Sequence, residues 1–147
     1  EDMAGTNLSF SYVVLRGMRK LGISFTQTEA DNFLHLWNVI GALLGVDERF
    51  LPNTMQEAYW LDKMIAEKEF RPSPEGKELT KALINVYRNQ NSINWIASYL
   101  IDQMRFLLGK NIADMLDLPP SKVSNATSLK LSFNLFSNIF LSGTSSK

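Results

Sequence analysis

The chain carries a single histidine, His35, and no cysteine. An imidazole ring is therefore the one neutral nitrogen ligand it can offer, and thiolate catalysis, disulfides, iron–sulfur clusters and thiolate-bound zinc are excluded. Any imidazole, metal or haem chemistry in this chain must pass through His35. The first question is which elements position that side chain.

His35 falls in a segment that reads as one helix, residues 27–44. Thr26 followed three residues later by Glu29 is typical of a capping box, which opens a helix. Gly45 suits the left-handed position that closes one. Apolar residues at helical spacing predict its core-facing stripe: Phe33, Leu36, Trp37, Ile40 and Leu44.

The opposite face of this helix holds His35 with small or polar neighbours: Asp31, Asn38, Val39 and Ala42. Two interpretations remain open. Either His35 faces water, with Val39 and Ala42 merely tolerated beside it, or a flat partner lies against this face. A haem is chemically possible, because it needs one protein ligand and an apolar slot.

Other catalytic patterns are weak. No G-x-G-x-x-G, Walker or G-x-S-x-G motif occurs, and the Glu-x-x-His spacing of di-iron bundles is missing. Paired carboxylates such as Asp47 and Glu48 are typical of solvated loops. Arg16, with Arg19 and Lys20, either reaches the propionates of a haem or forms a helix C-terminus that faces water.

Composition limits the class of protein. The chain has 147 residues, 45% of them hydrophobic, and fifteen basic residues balance fifteen acidic ones. This excludes disorder and argues against a nucleic-acid partner. The longest apolar run, 39–46, is far below the roughly 20 residues that span a bilayer. We expect no signal peptide or transmembrane segment in these residues; compartment and oligomeric state stay open.

Turn and capping signals recur throughout and predict an all-α fold, an irregular helical domain of six to seven helices over residues 1–141 with a frayed tail at 142–147. The expected helices are listed in chain order: 7–20, 27–44, 55–70, 74–89, 93–108, 111–117 and 129–140. The last also alternates like a strand, but an isolated strand would have no partner.

Several strings occur in a fixed order: Thr6–Ser11, Leu15–Gly22, Phe33–Gly41, Leu44–Val46, Leu51–Pro52 and, later, Leu107–Pro119. Together they resemble the latex-clearing proteins, or rubber oxygenases, a family that includes a fungal oxygenase of mycophenolic-acid synthesis. The pattern is most specific where H-x-W-x-x-x-G precedes L-G-V and L-P. The chain is similar to a C-terminal portion of such a protein.

The resemblance implies an all-α fold that holds one haem b, with His35 as axial iron ligand and Val39 and Ala42 against the porphyrin. Thr6 corresponds approximately to a distal threonine. The implied reaction cleaves a carbon–carbon double bond of an apolar small-molecule or polyisoprenoid substrate with dioxygen. The alternative is a helical binding or scaffold domain without a cofactor, since no complete catalytic constellation is present.

Overall fold

The computed structural model describes residues 2–90 and 94–120, and every regular element in these ranges is a helix. The all-α prediction is confirmed. The chain divides into two compact units, residues 1–70 and 71–147. A single domain over 1–141 stays a prediction, and the helix expected at 129–140 and the tail at 142–147 lie outside the described residues.

The first unit contains four α-helices and a 3₁₀ turn: α1 (Asp2–Phe10), α2 (Tyr12–Lys20), α3 (Gln27–Leu43), the turn Glu48–Phe50 and α4 (Met55–Glu69). All four helices contribute to one apolar core, made of Leu8, Tyr12, Leu15, Ala30, Leu34, Ala58 and Leu61. Burial of these side chains is the main stabilising contribution to the unit.

The helix expected over 7–20 is in fact two helices. The first begins at Asp2, and the backbone leaves helical geometry at Ser11, where φ is −104° and ψ is −89°. The Ser11 hydroxyl donates to the Asn7 carbonyl at 2.8 Å. Such a bond to the preceding turn competes with the backbone ladder and often bends helices. Thr6 and Ser9 make the same bond within α1 without a break, so this bond alone does not account for it.

Both ends of α3 follow the prediction. The Thr26 hydroxyl accepts from the Glu29 N–H, and the Glu29 carboxylate accepts from the Thr26 N–H at 2.7 Å. At the other end Gly45 has φ +87°, and its N–H and that of Val46 donate to the last-turn carbonyls of Ala42 and Gly41. This pair of bonds is a Schellman motif.

The buried face of α3 is rotated from the predicted stripe by less than one residue position, roughly 80°. Phe33, Trp37 and Ile40 of that stripe are half-buried. Ala30, Leu34 and Gly41 are buried, whereas Leu36 and Leu44 are 54% and 65% exposed. The prediction that the last two face the core is wrong. Hydrophobic patterns favour the largest side chains, but α1 approaches α3 most closely over its smallest ones.

Gly41 marks that close approach. A Cβ atom placed on it would lie 3.0 Å from Leu51 Cδ2 and 3.1 Å from the Asn7 side-chain amide. Further along, the Phe10 ring stacks on Trp37 with centroids 5.2 Å apart. These contacts fix the rotation of α3 about its axis, and therefore decide which residues point outward.

The second unit contains α5 (Pro74–Gln90), α6 (Asn94–Leu108) and α7 (Lys110–Met115). Its described core is formed by Ile84, Ile101, Ala113 and Leu118. Ser73 caps α5, since its hydroxyl accepts from the Gly76 N–H at 2.9 Å. Arg105 joins α6 to the end of α7 by donating to the Leu118 carbonyl and pairing with Asp114.

Within the described ranges, none of the helices combines the length and apolar character that a bilayer crossing requires.

Candidate functional site

The outward face of α3 is mostly apolar and carries the histidine, with the exposed Asn32 also on it. His35, Val39 and Ala42 are all exposed. They share this face with Leu36 and with Leu43, which is 83% exposed. A helix turned to water normally carries charged residues on that side. This one presents a ridge of methyl groups around a single imidazole.

His35 has no hydrogen-bond partner among the described residues. Asp31, one turn before it, accepts at Oδ1 from the Gln27 side chain at 2.8 Å, and that bond leaves its second carboxylate oxygen uncommitted. The imidazole nitrogens are therefore available to an external partner. A ligating histidine uses one nitrogen for the metal and donates the other N–H to an acceptor.

Asn38 connects this helix to the segment that follows it. Its side-chain amide donates to the Pro52 carbonyl at 2.8 Å. Pro52 itself is buried. The bond crosses fourteen positions of sequence and adds to the contacts that hold the outward face of α3 in place.

Thr6 lies on α1, where its hydroxyl donates to the Asp2 carbonyl at 3.0 Å and remains exposed. The oxygen still has lone pairs with which to accept a hydrogen bond. No contact in the described residues joins Thr6 to His35. Its distal role stays a prediction.

Arg16 lies on α2 and turns toward α4. Its Nη1 donates to Asp62 Oδ2 at 2.7 Å, and its guanidinium lies 5.6 Å from the centre of the Tyr12 ring. His35 lies on the side of α3 away from the core that these helices share. The structure thus pairs Arg16 with a carboxylate and does not bring it together with His35, so a propionate contact stays a prediction.

No group of three or more histidine, aspartate or glutamate side chains converges in the part of the chain that the structure describes. A metal held entirely by protein ligands is therefore not indicated there. Haem iron is different, because the porphyrin supplies four nitrogens and the protein only an axial ligand. Leu36 and Leu43 were not predicted to lie on this face. The small residues Ala30 and Gly41 were the sequence signal that could have shown which side of α3 is buried.

A family model described as "ER-bound oxygenase mpaB/B'/Rubber oxygenase, catalytic domain" matches residues 1–136. The chain belongs to this family, as its motifs suggested.

One curated relative is the rubber oxygenase of Streptomyces sp. (strain K30), which is 28% identical to this chain over 123 residues. The alignment covers 83% of the chain and 30% of the relative, so the chain spans less than a third of that protein's length. No solved structure matches the chain.

Proposed function

We propose that this chain is the haem-ligating part of an oxygenase that uses haem b and dioxygen to cleave a carbon–carbon double bond in an apolar, isoprenoid-like substrate. The observation that carries the proposal is the exposed apolar face of α3 with the chain's only imidazole on it. Membership of the oxygenase family and the name of the Streptomyces relative support it.

The residues present fit a haem. His35 would supply the axial nitrogen, and its other ring nitrogen would donate to an acceptor, for which Asp31 is the nearest carboxylate back along the helix. That second bond sets the orientation and basicity of the ring. Val39 and Ala42, one and two turns beyond His35, would lie against the macrocycle. Their small side chains let a flat group approach the helix closely.

The exposed leucines provide a hydrophobic driving force for a ligand to cover this face. Leu36 and Leu43 are 54% and 83% exposed, and covering them removes apolar surface from water at about 25 cal/mol per Å². If this face stayed in contact with water, the chain would gain no such stabilisation. The same apolar surroundings favour a hydrocarbon substrate over a charged one.

Bound haem supplies the activation of dioxygen, and the overall reaction adds one oxygen atom to each carbon of the cleaved double bond, leaving two carbonyl ends. The chain's own residues bind and orient: His35 holds the group from one side, and the apolar face excludes water. The Asn38 bond to Pro52 and the Phe10–Trp37 stack hold that face in its orientation.

The reaction is tested with the haemin-loaded chain, cis-1,4-polyisoprene and ¹⁸O-labelled dioxygen. We expect carbonyl-ended products with label at both new ends, and none from the His35→Ala variant. Asn85→Ala is the matched control, because Asn85 is an exposed polar residue on α5, outside the outward face of α3. Equal product from wild type and His35→Ala would contradict the proposal and favour a helical binding domain without haem.

A further inference from the structure

An apolar cleft of about 230 Å³ lies in the first unit, lined by residues of α1, the 3₁₀ turn and α4. Ala4 and Leu61 form its floor, and both side chains are buried. Beside it α1 and α4 approach each other closely, since a Cβ atom on Gly5 would lie 3.7 Å from Ile65 Cγ2. The cleft therefore reaches the buried interior of the unit.

The small side chain of Ala4 leaves this space open. Its single methyl group lines the cleft together with the longer side chains of Met64 and Ile65. Protein interiors are close-packed, and an empty apolar cavity lowers stability in proportion to its volume. A space of this size that reaches the floor of the core is therefore suited to a ligand that fills it.

Phe50 forms a wall of the cleft that is already held in place. The ring packs against the apolar core. In the same turn the Asp47 carboxylate accepts from the Arg49 N–H at 3.0 Å and pairs with the Arg49 guanidinium at 2.8 Å. That guanidinium lies 6.0 Å from the centre of the Phe50 ring. A ligand can thus bind with little reordering of this wall.

The charged side chains at the mouth of the cleft neutralise each other. Lys68 and Glu69 are the charged residues among the described residues that line it, and Lys68 Nζ lies 3.7 Å from Glu69 Oε1. The remaining lining residues are all apolar. An ionised ligand would lose its hydration here without gaining a net opposite charge. The lining therefore favours an uncharged, apolar ligand.

The volume of the cleft limits the size of that ligand. A cavity of roughly 150 Å³ lined by leucine, isoleucine and phenylalanine binds benzene, and this cleft is about half as large again. Pockets for drug-sized molecules begin at about 300 Å³. A helix with its side chains is roughly 10–12 Å across and is too wide to enter. A single ring or a short branched chain is the size that fits.

We propose that this cleft binds a short uncharged hydrocarbon group, either a single aromatic ring or a branched alkene of similar size. Leu61, Ile65 and Phe50 contact the group from inside the unit. The flexible side chain of Met64, which is 58% exposed, contacts it from the solvent side. This site is independent of the haem proposal, because no residue of the outward face of α3 lines it.

The probe is benzene, titrated into the chain with ¹³C-labelled methionine and isoleucine methyl groups and followed by NMR. The ring current of bound benzene shifts the Met64 and Ile65 signals. The signal of Met18, which packs against the core from α2, does not shift. Benzoate, which adds a charge to the same ring, binds more weakly by about tenfold or more. Equal affinity for benzene and benzoate, or no shift at saturating benzene, overturns the proposal.

Two variants test the cleft from different sides. Ala4→Leu fills it and weakens benzene binding by about tenfold or more, whereas Ala82→Leu, at an exposed position of α5, leaves binding unchanged. Met64→Glu places a carboxylate at the mouth without altering the floor, and it weakens binding in the same direction. Its matched control is Leu79→Glu, since Leu79 is 74% exposed and lies outside the cleft.

Circular dichroism shows that each variant is folded. Unchanged benzene affinity in both Ala4→Leu and Met64→Glu overturns the proposal. Loss of the benzene shifts as the chain concentration rises, with a dimer in sedimentation velocity, also overturns it, in favour of a second copy of the chain on this surface. Haemin and His35→Ala have no effect on this titration.

Discussion

At the scale of single residues, Gly41 determines how the histidine is presented. Its missing side chain lets α1 approach α3, with the Asn7 amide and Leu51 where a Cβ would be. The buried side of α3 is thereby fixed at Ala30, Leu34 and Gly41, and His35 points outward. A larger residue at position 41 would push the helices apart.

We therefore expect Gly41→Ala to lower the free energy of unfolding by about 0.5–2 kcal/mol, because the overpacking cost exceeds the gain that alanine brings to a helix. Gly17→Ala is the matched control. An added Cβ at Gly17 meets no atom within 4 Å, and this helical glycine has no positive φ, so alanine should stabilise by about 0.5–1 kcal/mol. Chemical denaturation of both variants measures the difference. Equal effects of the same sign would contradict the close approach at Gly41.

His35 itself could be placed from the sequence, but its neighbours only in part. The prediction that it shares a face with Val39 and Ala42 agrees with their exposure. The prediction that Leu36 is buried failed, because periodicity weighs side-chain size and takes no account of which residues permit close packing. That information lies in the pairing of Gly41 with Asn7, which are far apart in sequence.

At the scale of elements, hydrogen-bonded caps fix where α3 begins and ends. The reciprocal bonds between Thr26 and Glu29 satisfy two backbone donors at its start. Thr54 and Glu57 have the spacing of a second capping box, but that box is only half formed. Thr54 accepts from the Glu57 N–H, but the Glu57 carboxylate accepts from Asn53 instead. Sequence predicts where these helices begin better than it predicts each bond.

Thr26→Ala should destabilise the chain by about 1 kcal/mol, since an N-cap hydroxyl is lost. Thr28→Ala, which removes the same atoms two residues on at an exposed position, should have an effect within about 0.5 kcal/mol. Thermal or denaturant unfolding distinguishes them. If the two variants are equally stable, the cap contributes nothing.

The Thr26→Ala and Thr28→Ala variants should also differ in the pKa of Glu29. Bonds from the Thr26 backbone and hydroxyl lower the pKa of Glu29. A lowered pKa means that Glu29 stabilises the folded chain above its ordinary pKa, and that this contribution is lost as the pH falls through the lowered value. In Thr26→Ala the pKa of Glu29 should rise, as carboxyl NMR titration can measure, and in Thr28→Ala it should not change.

Val39→Glu tests whether haem binds to the outward face of α3. A carboxylate buried against a porphyrin without a counter-ion is costly, so haemin affinity should fall by about tenfold or more. Stability without haemin should hardly change, because Val39 is 45% exposed. Val86→Glu on α5 is the control: a valine that is 44% exposed, outside the proposed site. Equal haemin affinity of the two variants would contradict the assignment of this face.

At the scale of the whole molecule, apolar surface remains exposed on both compact units. The first unit presents the face of α3 around His35, and the second presents a stripe on α5 at i, i+4 and i+7, formed by Leu79, Leu83 and Val86. Patches of this kind mark binding surfaces. The chain spans 30% of its Streptomyces relative. Sequence motifs identified the family, while the division into two units at residue 70 was not predicted.

The most direct test of the haem assignment is the absorption spectrum of haemin added to wild type and to His35→Gly, each with and without free imidazole. We predict a sharp Soret band for wild type, its loss in His35→Gly, and its return when imidazole fills the space left by the side chain. Identical spectra for wild type and His35→Gly, or a wild-type spectrum indistinguishable from free haemin, would contradict the claim that His35 ligates haem.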